Sequence, residues 1–210
     1  MSELDQGSAE WLAARAGMIT ASRIADLMAK TKTGESASRS NYRAQLVAER
    51  LTGKPQDSFS NAAMQWGTEQ EPMARSAYEI LRGEMIEQVG FVPHPEIEKS
   101  GASPDGLIGS DGLIEIKCPN TATHIEYAVS GKPPTKYLLQ MLWQMECTGR
   151  KWCDFVSYDP RMPPDMQLFI VRINRDDERI NEIKTEVIKL NSEIADQINK
   201  LGKVFNNGIS

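Results

Sequence analysis

Toward the C-terminus, Ile180, Ile183, Val187, Leu190, Ile194, Ile198 and Leu201 recur three or four positions apart. That spacing lines one face of a helix. It predicts a long amphipathic helix from Asp176 to about Leu201, packed on the body or on a neighbouring subunit. Helical patterns also cover Glu10–Ala16, a second segment running to Ala29 with Thr20 or Ser22 as its cap, and Ser40–Leu51 with Gly53 as its stop. Thr31–Ser38 reads as a loop. Ala62–Leu81 is a longer helical pattern in which Pro72 predicts a bend or restart beside Glu71, because proline lacks the backbone donor. The period then changes. Met85–Val92, Gly101–Ser103, Gly106–Ile108 and Leu113–Cys118 read as strands between Gly, Pro and Asp turns. Helices follow at Thr121–Val129 and Thr135–Cys147, and strands at Trp152–Tyr158 and Met166–Ile173. Helices around a central mixed sheet define an α/β (α+β) class.

The 210 residues suit a single domain, expected over residues 9–210 with a disordered segment at 1–8. No apolar run approaches the ~20 residues of a membrane helix, and the polar start Met1–Gly7 is unlike a signal peptide. A cytoplasmic protein without membrane partners is expected. Cys118, Cys147 and Cys153 form no Cys-x-x-Cys pair and are expected to be buried free thiols. His94 and His124 are too far apart to suggest zinc and are expected to be surface or satisfied polar groups. Net charge is −5, yet Trp11–Lys54 holds eight basic residues against three acids. A localised anion-binding surface is one reading of that excess; solvated helix faces are the other.

The candidate chemistry lies in Ser103-Pro104-Asp105-Gly106 followed by Glu115-Ile116-Lys117. In a strand, Glu115 and Lys117 share one face while Ile114 and Ile116 share the other. Asp105 sits in a turn at a strand end. Two carboxylates, the Ile116 carbonyl and an amine at one point suit magnesium or manganese, which accept oxygen ligands and retain water. Such an ion assists phosphodiester hydrolysis by supplying hydroxide and offsetting charge. Lys117 can hold or deprotonate the attacking water or stabilise the transition state. The alternative is a surface Glu–Lys pair beside an Asp-Gly turn, with Glu71 a solvated helix acid. Arg15, Thr20 and Ser22 flank a helix start, a place that binds phosphate or is simply capped. Trp66, Trp143 and Trp152 are expected in the core, and Trp11 is a candidate exposed contact for a partner protein.

Five blocks occur in order: Arg15-Ala16-Gly17-Met18-Ile19-Thr20-Ala21-Ser22, Trp66-Gly67-Thr68-Glu69-Gln70-Glu71, Ser103-Pro104-Asp105-Gly106-Leu107, Glu115-Ile116-Lys117-Cys118-Pro119 and Tyr158-Asp159-Pro160-Arg161-Met162. Together they resemble the phage lambda exonuclease family, the YqaJ-type viral recombinases, over nearly the whole chain. The resemblance implies a restriction-endonuclease-like core of the PD-(D/E)xK type. It implies a processive 5′-to-3′ exonuclease that releases 5′-mononucleotides from linear duplex DNA ends and leaves 3′ overhangs. It further implies a ring-shaped homotrimer, a single-strand annealing protein as partner in recombination, a phage or prophage origin, and Mg2+ (Mn2+ substituting), two ions per site. Asp105, Glu115, the Ile116 carbonyl and Glu71 would bind metal, with Lys117 assisting the water and Gln140 lining the site. Arg15 and Ser22, with Thr20 beside them, would hold the 5′-phosphate. Lys32 falls where the lambda enzyme has an arginine, without that residue's bidentate fork. Met64 matches an apolar wedge against the terminal base pair. A sequence-specific endonuclease sharing the fold, and a catalytically silent DNA-end-binding or annealing protein, are the competing functions.

Overall fold

The computed structural model describes residues 6–32, 34–56 and 62–207. The expected disordered segment at 1–8 therefore falls largely outside the described residues. A five-stranded sheet forms the centre, in the order β10 (Leu168–Asn174), β9 (Trp152–Tyr158), β8 (Gly112–Lys117), β7 (Gly106–Ile108) and β4 (Ile86–Glu87). Within this sheet only the β8–β9 pair is parallel. Parallel neighbours need a crossover, supplied here by α5 (Thr121–Ser130) and α6 (Thr135–Thr148). A smaller sheet joins β1 (Ile19–Thr20), β6 (Ser100–Ala102) and β5 (Val92–Pro93). The expected single strand Met85–Val92 is thus two: β4 and β5 belong to different sheets, a partition that local hydrophobicity does not encode.

Helices cover both faces of the central sheet. On one side, α2 (Ile24–Met28), α3 (Ala37–Thr52), α6 and α7 (Asp177–Asn207) enclose a core containing Leu113, Phe155, Trp143 and Ile183. On the other, α4 (Ala62–Arg82) lays Ala74 and Tyr78 against Ile114, Ile116 and Val156. The stripe on α7 is buried from Ile180 to Ile194, so this helix packs on its own body. Helix α4 runs through Pro72 without a restart, one of the two outcomes expected beside Glu71. Pro72 and Thr68 are both exposed, and water can solvate the carbonyl that the proline leaves open. The expected loop after Ala29 contains a hairpin, β2 (Lys30–Thr31) with β3 (Gly34–Glu35). Neither Thr20 nor Ser22 caps α2 with its side chain; a short 3-10 turn, Ala21–Arg23, precedes that helix. The three cysteines are free and buried, as expected, and burial raises each thiol's pKa. Among the described residues no helix is long and apolar enough to cross a membrane.

Candidate active site

Strand β8 alternates as its sequence predicts. Leu113 enters the core beneath α6, Ile114 and Ile116 enter the core beneath α4, and Glu115 lies on the α6 side, wholly buried. The turn before β7 brings Asp105 alongside. Asp105 Oδ2 accepts from the Ile116 N–H at 2.7 Å, a bond that the sheet leaves free because β7 pairs only as far as Ile114. The N–H and C=O of one strand residue point to the same edge, so the Ile116 carbonyl also faces Asp105. Gly106 permits this closure: a Cβ there would lie 2.2 Å from Ile86 Cγ2 and 3.2 Å from Ile114 Cγ2. Lys117 Nζ pairs with Glu115 and stands 4.0 Å from Asp105 Oδ2. The three groups singled out in the sequence therefore converge.

Helix α6 forms the wall behind them. Gln140 Nε2 donates to Glu115 Oε1 and Gln144 Nε2 to Glu115 Oε2, each at 2.7 Å. One turn earlier, the Tyr137 ring centroid lies 5.2 Å from Lys117 Nζ. Gln144 and Tyr137 are the residues that sequence reasoning missed. A signal for Gln144 existed: within Leu138–Met145 the only polar residues are Gln140 and Gln144, spaced i, i+4. Glu71, on α4, accepts from Arg75 Nη2 at 2.7 Å and interacts electrostatically with Asp105, Glu115 and Lys117.

Burial, then Glu115, pushes the Asp105 carboxyl well above the usual carboxylate range, with Lys117 opposing. Burial works against the Lys117 ammonium, but Glu115 and Asp105 outweigh it and hold its pKa up. Burial also raises Glu71, against Arg75 and Lys117. The cluster carries two carboxylates against one ammonium, with Glu71 offset by Arg75. Among the described residues no three acidic, imidazole or thiol side chains close a metal cage. Magnesium retains several waters and needs only one or two carboxylates. Asp105, Glu115 and the Ile116 carbonyl, an oxygen-only set with excess negative charge, fit a hard divalent cation.

A second group gathers around the turn after α1 (Ala9–Arg15). Gly17 there is left-handed at φ +71°, with a would-be Cβ 2.8 Å from Arg50 Cγ. Glu49 accepts from its N–H at 2.7 Å, and Arg50 Nε donates to its carbonyl at 2.8 Å. This clamp sets Arg15 Nη2 3.3 Å from Ser22 Oγ, which lies 3.4 Å from Thr20 Oγ1. Burial brings Arg15 down to about 10, only partly offset by Tyr42 and Glu49. Among the described residues Arg15 makes no ion pair. Lys32 is exposed in the β2–β3 turn and, among the described residues, is not hydrogen-bonded to Arg15 or Ser22, and Met64 lies half-exposed on α4.

The charge excess of the N-terminal quarter is partly neutralised within the fold, where Arg23, Lys30, Arg39 and Arg43 pair with acids, and this reduces what is left for a localised anion-binding surface. Arg39 Nη1 binds Glu35 at 2.5 Å and Glu193 at 2.8 Å, while Arg43 Nη1 binds Glu35 at 2.6 Å and Glu193 at 3.1 Å. Arg23 pairs with Asp26, and Arg50 donates to Asn191. Of the other residues singled out, Trp143 and His124 meet expectation, whereas Trp11, Trp66 and Trp152 depart from it. Trp11 is half-buried rather than exposed, with Nε1 donating to Ser103 Oγ at 3.1 Å. Trp143 is core, but Trp66 and Trp152 lie half-buried under Arg161 and Arg172. His124 is buried and satisfied by Ser157 and the Met166 carbonyl. His94 is buried against Trp143, with Nε2 3.6 Å from Glu146.

Comparison with known proteins fits this geometry. An alkaline exonuclease from Laribacter hongkongensis, LHK-Exo, is 55% identical over 95% of this chain and 99% of its own, with a TM-score of 0.89. The structure of LHK-Exo in complex with dAMP superimposes equally well, again at a TM-score of 0.89. A phage-related exonuclease from Haemophilus somnus 129PT shares the fold at a TM-score of 0.70, with 18% identity over 87% of this chain and 95% of its own. No curated protein matches significantly. These likenesses support a nuclease or recombination role. Residues 10–151 match the YqaJ-like viral recombinase domain, and with more than half its length inside that match, the chain belongs to the YqaJ-like viral recombinase family.

Proposed function

We propose that this protein is a magnesium-dependent 5′-to-3′ exonuclease, with manganese able to substitute. It degrades one strand of linear duplex DNA to 5′-mononucleotides and leaves 3′ overhangs for single-strand annealing. The observation that carries this reading is the meeting of Asp105, Glu115 and Lys117 at the end of β8. The dAMP bound by LHK-Exo is a nucleotide of the kind such a reaction releases. Family membership supports a ring-shaped homotrimer around the duplex and an annealing protein as partner.

Asp105, Glu115 and the Ile116 carbonyl would hold the ions, two in the full site, with Glu71 completing the acidic surroundings. When bound, such ions make hydroxide available near neutral pH and offset charge on phosphorus. Gln140 and Gln144 fix both oxygens of Glu115, so its carboxylate meets the substrate already oriented. Lys117 presents N–H donors that orient a water or stabilise oxygen charge in the transition state. Arg15 and Ser22, with Thr20 beside them, would receive the terminal 5′-phosphate, because a half-buried guanidinium with no carboxylate partner among the described residues favours an incoming anion. Lys32 would approach that phosphate from the hairpin, and Met64 would press on the terminal base pair.

Asp105→Ala tests the reading on an end-labelled linear duplex with magnesium. The variant is expected to bind ends as the wild type does and to release no nucleotides. Retained cleavage in the variant, or wild-type cleavage of a closed circle at the linear rate, contradicts the exonuclease.

A further inference from the structure

Helix α1 contains no fully buried residue, so apolar packing does little to hold it. Polar bonds to the Asp105 turn take that role. Trp11 Nε1 reaches Ser103 Oγ, two positions before Asp105, at 3.1 Å. The face of the same indole lies 3.9 Å from the Arg15 guanidinium carbon. Gln6 Nε2 grips the turn at a second point, the Pro104 carbonyl, at 2.9 Å, and reaches the Val89 carbonyl at 3.3 Å. One rigid side chain thus touches both the cation offered to a terminal phosphate and the turn that presents a metal-binding carboxylate.

From this juxtaposition we infer that Trp11 is a positioning residue that couples the terminal-phosphate pocket to the Asp105 turn. The inference rests on reading Arg15 and Ser22 as that pocket. An indole has two side-chain torsions and a planar body, so an Arg15 drawn onto an anion fixes the ring beneath it. The fixed ring in turn fixes the Ser103 hydroxyl through the N–H bond. Asp105 is then held in place when a 5′-phosphate is seated and is less constrained when the end is a hydroxyl. The coupling can be no larger than the free energy of the bond that carries it, about fivefold in rate for a hydrogen bond of ordinary strength.

The test measures kcat and KM, with magnesium, on linear duplexes ending in a 5′-phosphate or a 5′-hydroxyl. The proteins are the wild type, Trp11→Phe, Ser103→Ala and the double variant. Trp11→Phe keeps an aromatic face under Arg15 and removes the N–H donor. The wild type is expected to prefer the phosphorylated end. Each single variant should shrink that preference about fivefold through kcat, and the double variant should shrink it no further. Equal slowing of both substrates would show a purely structural role and overturn the coupling. A preference unchanged in Trp11→Phe and Ser103→Ala overturns the coupling alone, whereas a wild type with no preference removes the phosphate-pocket reading and the coupling with it. Thermal unfolding reports the folded fraction, and Ser103→Ala, which loses one oxygen, decides the matter should Trp11→Phe unfold.

Discussion

Replacing Gln144 with leucine separates holding the fold from holding Glu115. The two side chains are similar in size, and Gln144 is wholly buried. Its Nε2 donates at 2.7 Å to Glu115 Oε2, a bond to a charged group worth about 1.5–3 kcal/mol. Its own Oε1 is buried without a partner, and removing such an atom returns about 1–3 kcal/mol. The terms nearly cancel, so Gln144→Leu should cost no more than about 2 kcal/mol, or some 4–8 °C in Tm for a domain of this size. Glu115 keeps Gln140 and Lys117 but loses the anchor on its second oxygen. A carboxylate free to turn at a reacting centre costs about tenfold to a hundredfold in rate. The assays are urea unfolding, nucleotide release from a 5′-phosphorylated duplex, and calorimetric magnesium titration of the DNA-free protein. A folded variant with full activity and unchanged magnesium binding would show that the α6 clamp does not set Glu115 for the reaction.

Two further outcomes are expected. Arg43, then Arg39, hold Glu35 below its ordinary pKa despite burial; Arg39, then Arg43, do the same for Glu193. A lowered folded pKa stabilises fully above the unfolded value of about 4.3 and loses that contribution as pH falls through the folded value. Arg39→Ala should therefore cost about 1–3 kcal/mol at neutral pH, discounted for the partial exposure of both acids, and flatten the stability loss below about pH 4.5; an unchanged acid slope in urea unfolding refutes this. Gly106→Ala should cost about 1–3 kcal/mol through overpacking against Ile86 and reduce cleavage by moving Asp105, with urea midpoint and rate as the checks. A variant with wild-type stability and rate would mean that Ile86 can retreat without disturbing the turn.

Features set by local period were legible in the sequence. The stripe on α7, the alternation in β8 and the apolar run of α6 each repeat within a few residues. Glu115 and Lys117 therefore fell on one face before any coordinates, and Asp105 was marked by its turn. What escaped depends on distant partners. Arg39 and Arg43 counted toward the basic excess because one of their acids, Glu193, lies 154 and 150 positions away, although the other, Glu35, is only 4 and 8 positions distant. Met85–Val92 is apolar enough for one strand, and only the registers of β4 with β7 and β5 with β6 divide it. No restart occurs at Pro72 because the turn it affects faces solvent. Trp11 read as an interface residue because no local pattern announces a hydrogen bond to Ser103, 92 positions on.

The same internal pairing bears on how an acidic protein could engage DNA. With Arg39 and Arg43 neutralised by Glu35 and Glu193, and Arg23 by Asp26, much of the N-terminal positive charge is paired within the fold, and Lys32 and Lys54 are among the exposed remainder. Arg15 differs. It is half-buried, touches Trp11 and Ser22, and makes no ion pair among the described residues. Across the Trp11–Ser103 link, the cluster at β8 has the opposite imbalance, two carboxylates to one ammonium. On the proposed reading, a DNA end would offer what both halves lack: a terminal phosphate for the guanidinium and, one linkage on, an anionic diester that a cation held by the carboxylates would meet. Desolvated charges act more strongly than exposed ones and are less screened by salt. Recognition on this basis would depend on the chemistry of the end rather than on bulk charge, which is compatible with a net charge of −5 and with a duplex retained by enclosure.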